Sequence, residues 1–122
     1  MPVTSRPGPA SDAPERWAVD AGSADIATLD IPPSAHRRRT FAIDARFVVR
    51  ATAPGAWQAM RVEIDGVREW SRRIETHGGT DTLDHHCRRV LEIGQALRVR
   101  VVTQVGSAQR VRLHIEAEEQ AR

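Results

Sequence analysis

The sequence predicts an all-β domain, an antiparallel β-sandwich of about seven strands, and three observations carry that expectation. Apolar and polar residues alternate with period two over several stretches, the mark of half-buried strands. Turn residues recur roughly every 8–12 positions from Pro32 onward, as short-stranded sandwiches require. The length, 122 residues, suits one domain with one core. Hydrophobic residues at 40% against charged ones at 28% give enough apolar surface for that core to fold without staples.

Taken in order, residues 1–23 are rich in Pro, Ala, Ser and Gly and show no sustained periodicity. They read as a flexible tail, with Trp17 and Val19 as its only bulky apolar residues, ahead of a single β-rich domain over 24–122. Ile26, Leu29 and Ile31 suggest a first strand that Pro32-Pro33 closes. From Thr40 to Ala51 the pattern is strict. Phe41, Ile43, Ala45, Phe47 and Val49 share one face, and Thr40, Asp44, Arg46 and Arg50 share the other. After the break at Ala53-Pro54-Gly55, Met60, Val62 and Ile64 alternate with Arg61, Glu63 and Asp65, and Asp65-Gly66 signals a tight turn. Near the C-terminus Leu97, Val99 and Val101 alternate with arginines, as do Val111, Leu113 and Ile115. With Gly106-Ser107 between them, these two runs are expected to form a hairpin. Its register would set Val99 opposite Ile115, Val101 opposite Leu113 and Arg98 opposite Glu116, which keeps like charges apart.

The middle of the chain admits two readings. Val67, Trp70 and Ile74 fall at helical spacing, as do Leu83, His86, Cys87, Val90 and Leu91. That supports an alternative α+β domain of about four or five antiparallel strands with two short helices near 66–77 and 82–93. Read as a strand, the second stretch puts Leu83, His85, Cys87, Arg89 and Leu91 on one face. An arginine on an apolar face requires a bulge or a sheet edge. Either way Cys87 is expected in the core as an inert thiol.

Compartment and partners follow from composition. A single cysteine excludes an internal disulfide and argues against a secreted mini-protein. Met1 to Ala24 holds no apolar stretch of signal-peptide type. No run approaches the roughly 20 apolar residues of a membrane helix. The expectation is a cytoplasmic chain with no membrane association. All 18 basic residues are arginine, and lysine, asparagine and tyrosine are absent. Those three share AT-rich codons, so a GC-rich, bacterial-type genome accounts for the arginine. The net charge is only +2 and aromatics are 4%. Without a one-sided basic stripe or stacking aromatics, nucleic acid is not the expected partner.

The residues richest in potential chemistry are His77, Asp81, Asp84, His85, His86 and Cys87, around Gly78-Gly79. Imidazole, carboxylate and thiolate bind zinc-like ions when three or four converge. His77, Asp81 and His85 are the candidate ligands for a divalent metal, because Asp81 and His85 are i, i+4 neighbours on a helix and His77 reaches across the glycines. No recognised metal spacing occurs, and capping aspartates with solvated histidines explain the same residues. Nucleophilic catalysis has little support. No Gly-x-Ser-x-Gly elbow or phosphate-binding loop is present, and His86 and Cys87 would point to opposite faces of a strand. No catalytic residue is assigned.

Trp57 has the opposite parity to Met60, Val62 and Ile64, so it should face away from the core. Trp70 follows the Asp-Gly turn. These two tryptophans are the candidate binding residues, for a sugar ring or a protein partner. The composite expectation is a non-catalytic binding or assembly module that self-associates through a β-edge or the Trp57 face. Its rivals are a metal- or small-ligand-binding enzyme domain with a site at 77–87 and a carbohydrate-binding β-sandwich.

Overall fold

Alternation over residues 39–51 dictates the longest strand, and the rest of the molecule is arranged around the face it buries. The computed structural model describes residues 13–121. Within them the chain forms eight strands and no helix: β1 (Arg16–Asp20), β2 (Ile26–Ile31), β3 (Arg39–Ala51), β4 (Trp57–Ile64), β5 (Val67–Glu75), β6 (Thr80–Leu91), β7 (Leu97–Gly106) and β8 (Ala108–Glu119). They make two four-stranded antiparallel sheets, in the orders β1-β8-β3-β6 and β2-β7-β4-β5. Successive strands mostly cross from one sheet to the other, the winding of an eight-stranded jelly roll. Phe41, Phe47, Val49, Leu113 and Ile115 of the first sheet meet Leu29, Ile31, Met60, Val62, Val99 and Val101 of the second in one core. The all-β expectation holds, with one strand more than the seven foreseen.

That additional strand is β1, which lies inside the stretch read as a tail. Five residues suffice because β1 pairs along β8, Trp17 opposite Ala117 and Val19 opposite Ile115. Both side chains pack on the core margin. Residues 1–12 of the expected tail lie outside the described residues.

The helical alternative over 66–93 gives way to β5 and β6. Asp65 (φ 50) and Gly66 (φ 83) are both left-handed, and a two-residue turn of this kind matches the twist of a hairpin. It joins β4 to β5 with Ile64 opposite Val67 and leaves no room for a helix start. Arg89 does lie on the inner face of β6 among Leu83, His85, Cys87 and Leu91. This is tolerated because β6 is the last strand of its sheet.

The expected C-terminal hairpin does not form. Val99 faces Leu29 and Ile64, whereas Ile115 faces Val19 and Ala45. β7 and β8 are consecutive but belong to opposite sheets, and Ser107, at φ 50, turns the chain across the gap between them. Their inward faces are as expected except at Val111, which a bulge opposite Val48-Val49 leaves 40% exposed; their neighbours are not. Each thereby gains two hydrogen-bonded partners in the interior of a sheet.

One end of the sandwich is closed by charge. Arg39, with its side chain 1% exposed, donates to Glu15 at 2.8 Å and to the Pro32 carbonyl at 2.8 Å. Arg37 bridges Glu15 at 2.9 Å and Glu119 at 2.7 Å. Burial works against ionised Glu15. The Trp17 indole N–H and the two guanidinium groups outweigh it and hold the carboxyl below its ordinary range.

Candidate functional site

Two features of β5 stand apart, one on each side of the strand. Outward, against β4, lies a groove of about 460 Å³ whose floor includes Ala59 and Val102 and whose outward-facing walls carry Arg61, Arg68 and Arg73. Arg72 also borders it but stands opposite the buried Met60 and so has inward parity. No acidic residue lines it. Among the described residues Arg68, Arg72 and Arg73 have no carboxylate partner. Arg61 shares Glu63 with Arg100, at 2.9 and 3.1 Å. The hydrogen bond from Arg100, with the charge of Arg61, keeps the Glu63 carboxyl below its ordinary range. One carboxylate thus serves two arginines, and the groove stays positive.

Trp57 borders this groove. It faces outward, as its parity requires, but is half-buried. The pyrrole side of its indole lies against Gly106, its partner on β7, where an added Cβ would come within 1.9 Å of Nε1. Over the ring sits the Arg73 guanidinium, 3.9 Å from the centroid, a cation–π contact that fixes where the charge stands. Glycine at 106 therefore follows from the tryptophan on the neighbouring strand.

On the inner side, a β-bulge inserts Glu69. Val62 faces Trp70, and the next residue, Glu63, faces Arg68, so Glu69 has no opposite number. Two successive residues, Glu69 and Trp70, are half-buried as a result. Trp70 stacks on His85 of β6, with centroids 4.6 Å apart and planes 15° apart. Glu69 approaches His85 Nε2 at 3.4 Å through Oε2 and pairs with Arg89 through Oε1. Cys87 completes the group; the ligand atoms of Glu69, His85 and Cys87 lie within 4.8 Å of one another. Burial pushes the Cys87 thiol above its ordinary range, Glu69 and Asp44 add to this, and Arg89 opposes them. The thiol is half-buried rather than fully in the core, and it is a poor nucleophile.

Of the metal candidates read from the sequence, only His85 joins this cluster. His77 sits in the exposed β5–β6 turn, 85% accessible and 4.0 Å from the Glu75 carboxylate. Asp81, early in β6, accepts from the Thr82 N–H at 2.9 Å. Asp81 and His85 are four residues apart on a strand, too far for one ion to span. His86 points outward to Asp44 at 2.5 Å, on the opposite face from Cys87. Sequence reasoning missed Glu69 and the β5 arginines. The Asp65-Gly66 hairpin was the available signal, since it places β5 at an edge, but the bulge has no sequence signature here.

Comparison with known proteins adds the fold. No family model and no curated protein matches the chain. Dimeric latent PorU from Porphyromonas gingivalis is similar over 85% of this chain at 11% identity and a TM-score of 0.56. The Cry4Aa toxin from Bacillus thuringiensis is similar over 83% at 13% identity and a TM-score of 0.53. This chain spans only 11% and 19% of those two proteins. The CBM36-1 domain of a multidomain xylanase, from the hindgut metagenome of Trinervitermes trinervoides, aligns over 90% of this chain and 100% of its own at 7% identity and a TM-score of 0.49. The likeness to the first two is one of fold. No helix among the described residues is long and apolar enough to cross a membrane.

Proposed function

We propose that this chain is a non-catalytic binding module whose ligand is an extended acidic segment of a partner protein, received along β5. The carrying observation is the groove walled by Arg61, Arg68 and Arg73 without a lining acid. Guanidinium forks suit carboxylates, which they hold in bidentate geometry. Strand β5 is nine residues long and pairs only with β4, so its other edge offers backbone donors and acceptors. A segment added there would bring alternate side chains over the arginines.

Two observations favour this reading over its rivals. Self-association by pairing β5 with β5 of a second copy would gather two sets of Arg68, Arg72 and Arg73 along one edge, and concentrating like charge there is unfavourable. Sugar stacking needs an open aromatic face, whereas the Trp57 indole is covered by Arg73 and rests against Gly106. The expected self-association would then use another edge, and homodimer formation remains a separate proposal for light scattering.

The test is titration of the chain with poly-glutamate, read by tryptophan fluorescence at two salt concentrations, with single-stranded DNA in parallel. Binding of poly-glutamate should weaken as salt rises. The double variant Arg68→Glu, Arg73→Glu should lose at least about ten-fold in affinity. Tighter binding of DNA than of poly-glutamate, or a double variant that binds like the wild type, would overturn the reading.

A further inference from the structure

We infer that Glu69, His85 and Cys87 form a site for a divalent ion of the zinc class in the cleft between the free edges of β5 and β6. The inference is independent of the arginine groove, which lies on the other side of β5. The three donors are a carboxylate, an imidazole and a thiol, and their ligand atoms already lie within 4.8 Å of one another. His85 Nε2 and Glu69 Oε2 are 3.4 Å apart. Two ligands about 2.0–2.1 Å from a tetrahedral zinc ion stand roughly 3.3–3.4 Å from each other, so this pair needs almost no movement. Nitrogen and sulfur donors select zinc or a similar transition ion over magnesium and calcium, which prefer oxygen alone.

The surroundings hold these groups where an ion needs them. Stacking on Trp70 fixes the plane of the His85 ring. Arg89 holds the other Glu69 oxygen, Oε1, which leaves Oε2 facing the cleft. A group that orients a ligand from outside in this way is a common feature of metal sites. His85 and Glu69 are 16% and 23% exposed, so the cleft is sheltered yet reachable, and a water would complete four-coordination from the open side. Carboxylate and thiolate together balance a divalent charge, leaving Arg89 as the outer cation.

The ion would also do something that the backbone does not. β5 pairs with β4 and β6 with β3, in opposite sheets, and no ladder joins β5 to β6. A metal held by Glu69 of one and by His85 and Cys87 of the other would clip the open side of the sandwich. Binding to the folded state alone should then raise the melting temperature.

The experiment adds Co²⁺ to the reduced full chain and follows its absorption, then adds Zn²⁺ in competition. Cys87 is the single cysteine, so any thiolate-to-cobalt charge-transfer band reports Cys87 in the wild type, whether or not a variant folds. Expected are a 1:1 end point, that band together with visible absorption of tetrahedral strength, and displacement of cobalt by zinc. Zn²⁺ should raise the melting temperature. Cys87→Ser should abolish the band, and His85→Ala and Glu69→Gln should each weaken binding by about ten-fold or more. His77→Ala should leave it unchanged. A wild-type chain that gives no thiolate band overturns the inference. So does zinc affinity that survives within two-fold in both folded Cys87→Ser and folded His85→Ala.

Discussion

The outer faces of the two sheets treat arginine differently. On β1-β8-β3-β6 three exposed guanidinium groups meet acids across the strands: Arg16 with Glu116, Arg112 with Asp20 at 2.9 Å, and Arg46 with Asp84 at 2.8 Å. Arg50 and Arg88 have no carboxylate partner among the described residues, but they do not gather on one groove. On β2-β7-β4-β5 such pairing covers only one side. Arg98 meets Asp30 at 2.7 Å and Glu63 is shared, but Arg68 and Arg73 of β5 face a groove without acids. A near-neutral net charge of +2 therefore conceals one face on which most arginines meet acids and another with a locally positive groove. Arginine neutralised within the fold serves the fold, whereas arginine left uncompensated on an edge strand is available to something else.

The sharpest way to break that comparison is at the buried end of the first sheet. Arg39→Met removes the guanidinium that satisfies Glu15 and the Pro32 carbonyl, and breaking one side of a buried pair should destabilise by about 3 kcal/mol or more. Urea unfolding measures it. The same cluster sets an acid limit. Glu15 is held below the ordinary glutamate value of 4.5, so its contribution is complete above that pH and is lost as pH falls through the folded value. Wild-type stability should therefore decline on acidification below about pH 4.5, and the decline should be shallower in Arg39→Met.

A smaller effect is expected on the second sheet. Gly106→Ala drives a methyl into the Trp57 indole, 1.9 Å from Nε1, and should destabilise by about 1–3 kcal/mol as the ring is displaced. A shift in tryptophan emission should accompany it, with weaker poly-glutamate binding because Arg73 loses its platform. Unchanged stability and emission would show that the indole is not held against Gly106.

The smallest effect sharpens the contrast. Arg46→Ala removes an exposed pair, with side chains 61% and 38% accessible, and should change stability by no more than about 1 kcal/mol. It should leave poly-glutamate binding intact. A loss of binding there comparable with that of Arg68→Glu, Arg73→Glu would mean that overall charge, not the groove, governs recognition.

The fates of particular residues separate what was legible from what was not. Period-two alternation is a property of the backbone, so the inward faces of β3, β4 and β7, that of β8 from Leu113 onward, and the outward parity of Trp57 follow from local sequence alone; the bulge that exposes Val111 does not. The left-handed turn at Asp65-Gly66 is equally local. Neighbours are not local. β7 and β8 carry a faultless hairpin pattern, yet they pair in different sheets, because alternation names the buried face without naming the strand beside it. The β6 pattern was ambiguous because its inner face carries Arg89 and His85. These are admissible only at an edge and beside Glu69, which a bulge on the opposing sheet supplies.

By itself, then, the sequence determined the all-β class, the faces of its strands and the tight turn that pairs β4 with β5, since each depends on residues a few positions apart. Tertiary structure alone decided which acids neutralise which arginines, as with Arg16 and Glu116, a hundred positions apart. It also decided that Arg68, Arg72 and Arg73 of β5 have no carboxylate partner among the described residues and that Glu69, His85 and Cys87 meet across the open edge. Electrostatic and metal-binding capacity depend on distances of a few ångströms between donors, and packing two sheets face to face is what sets those distances.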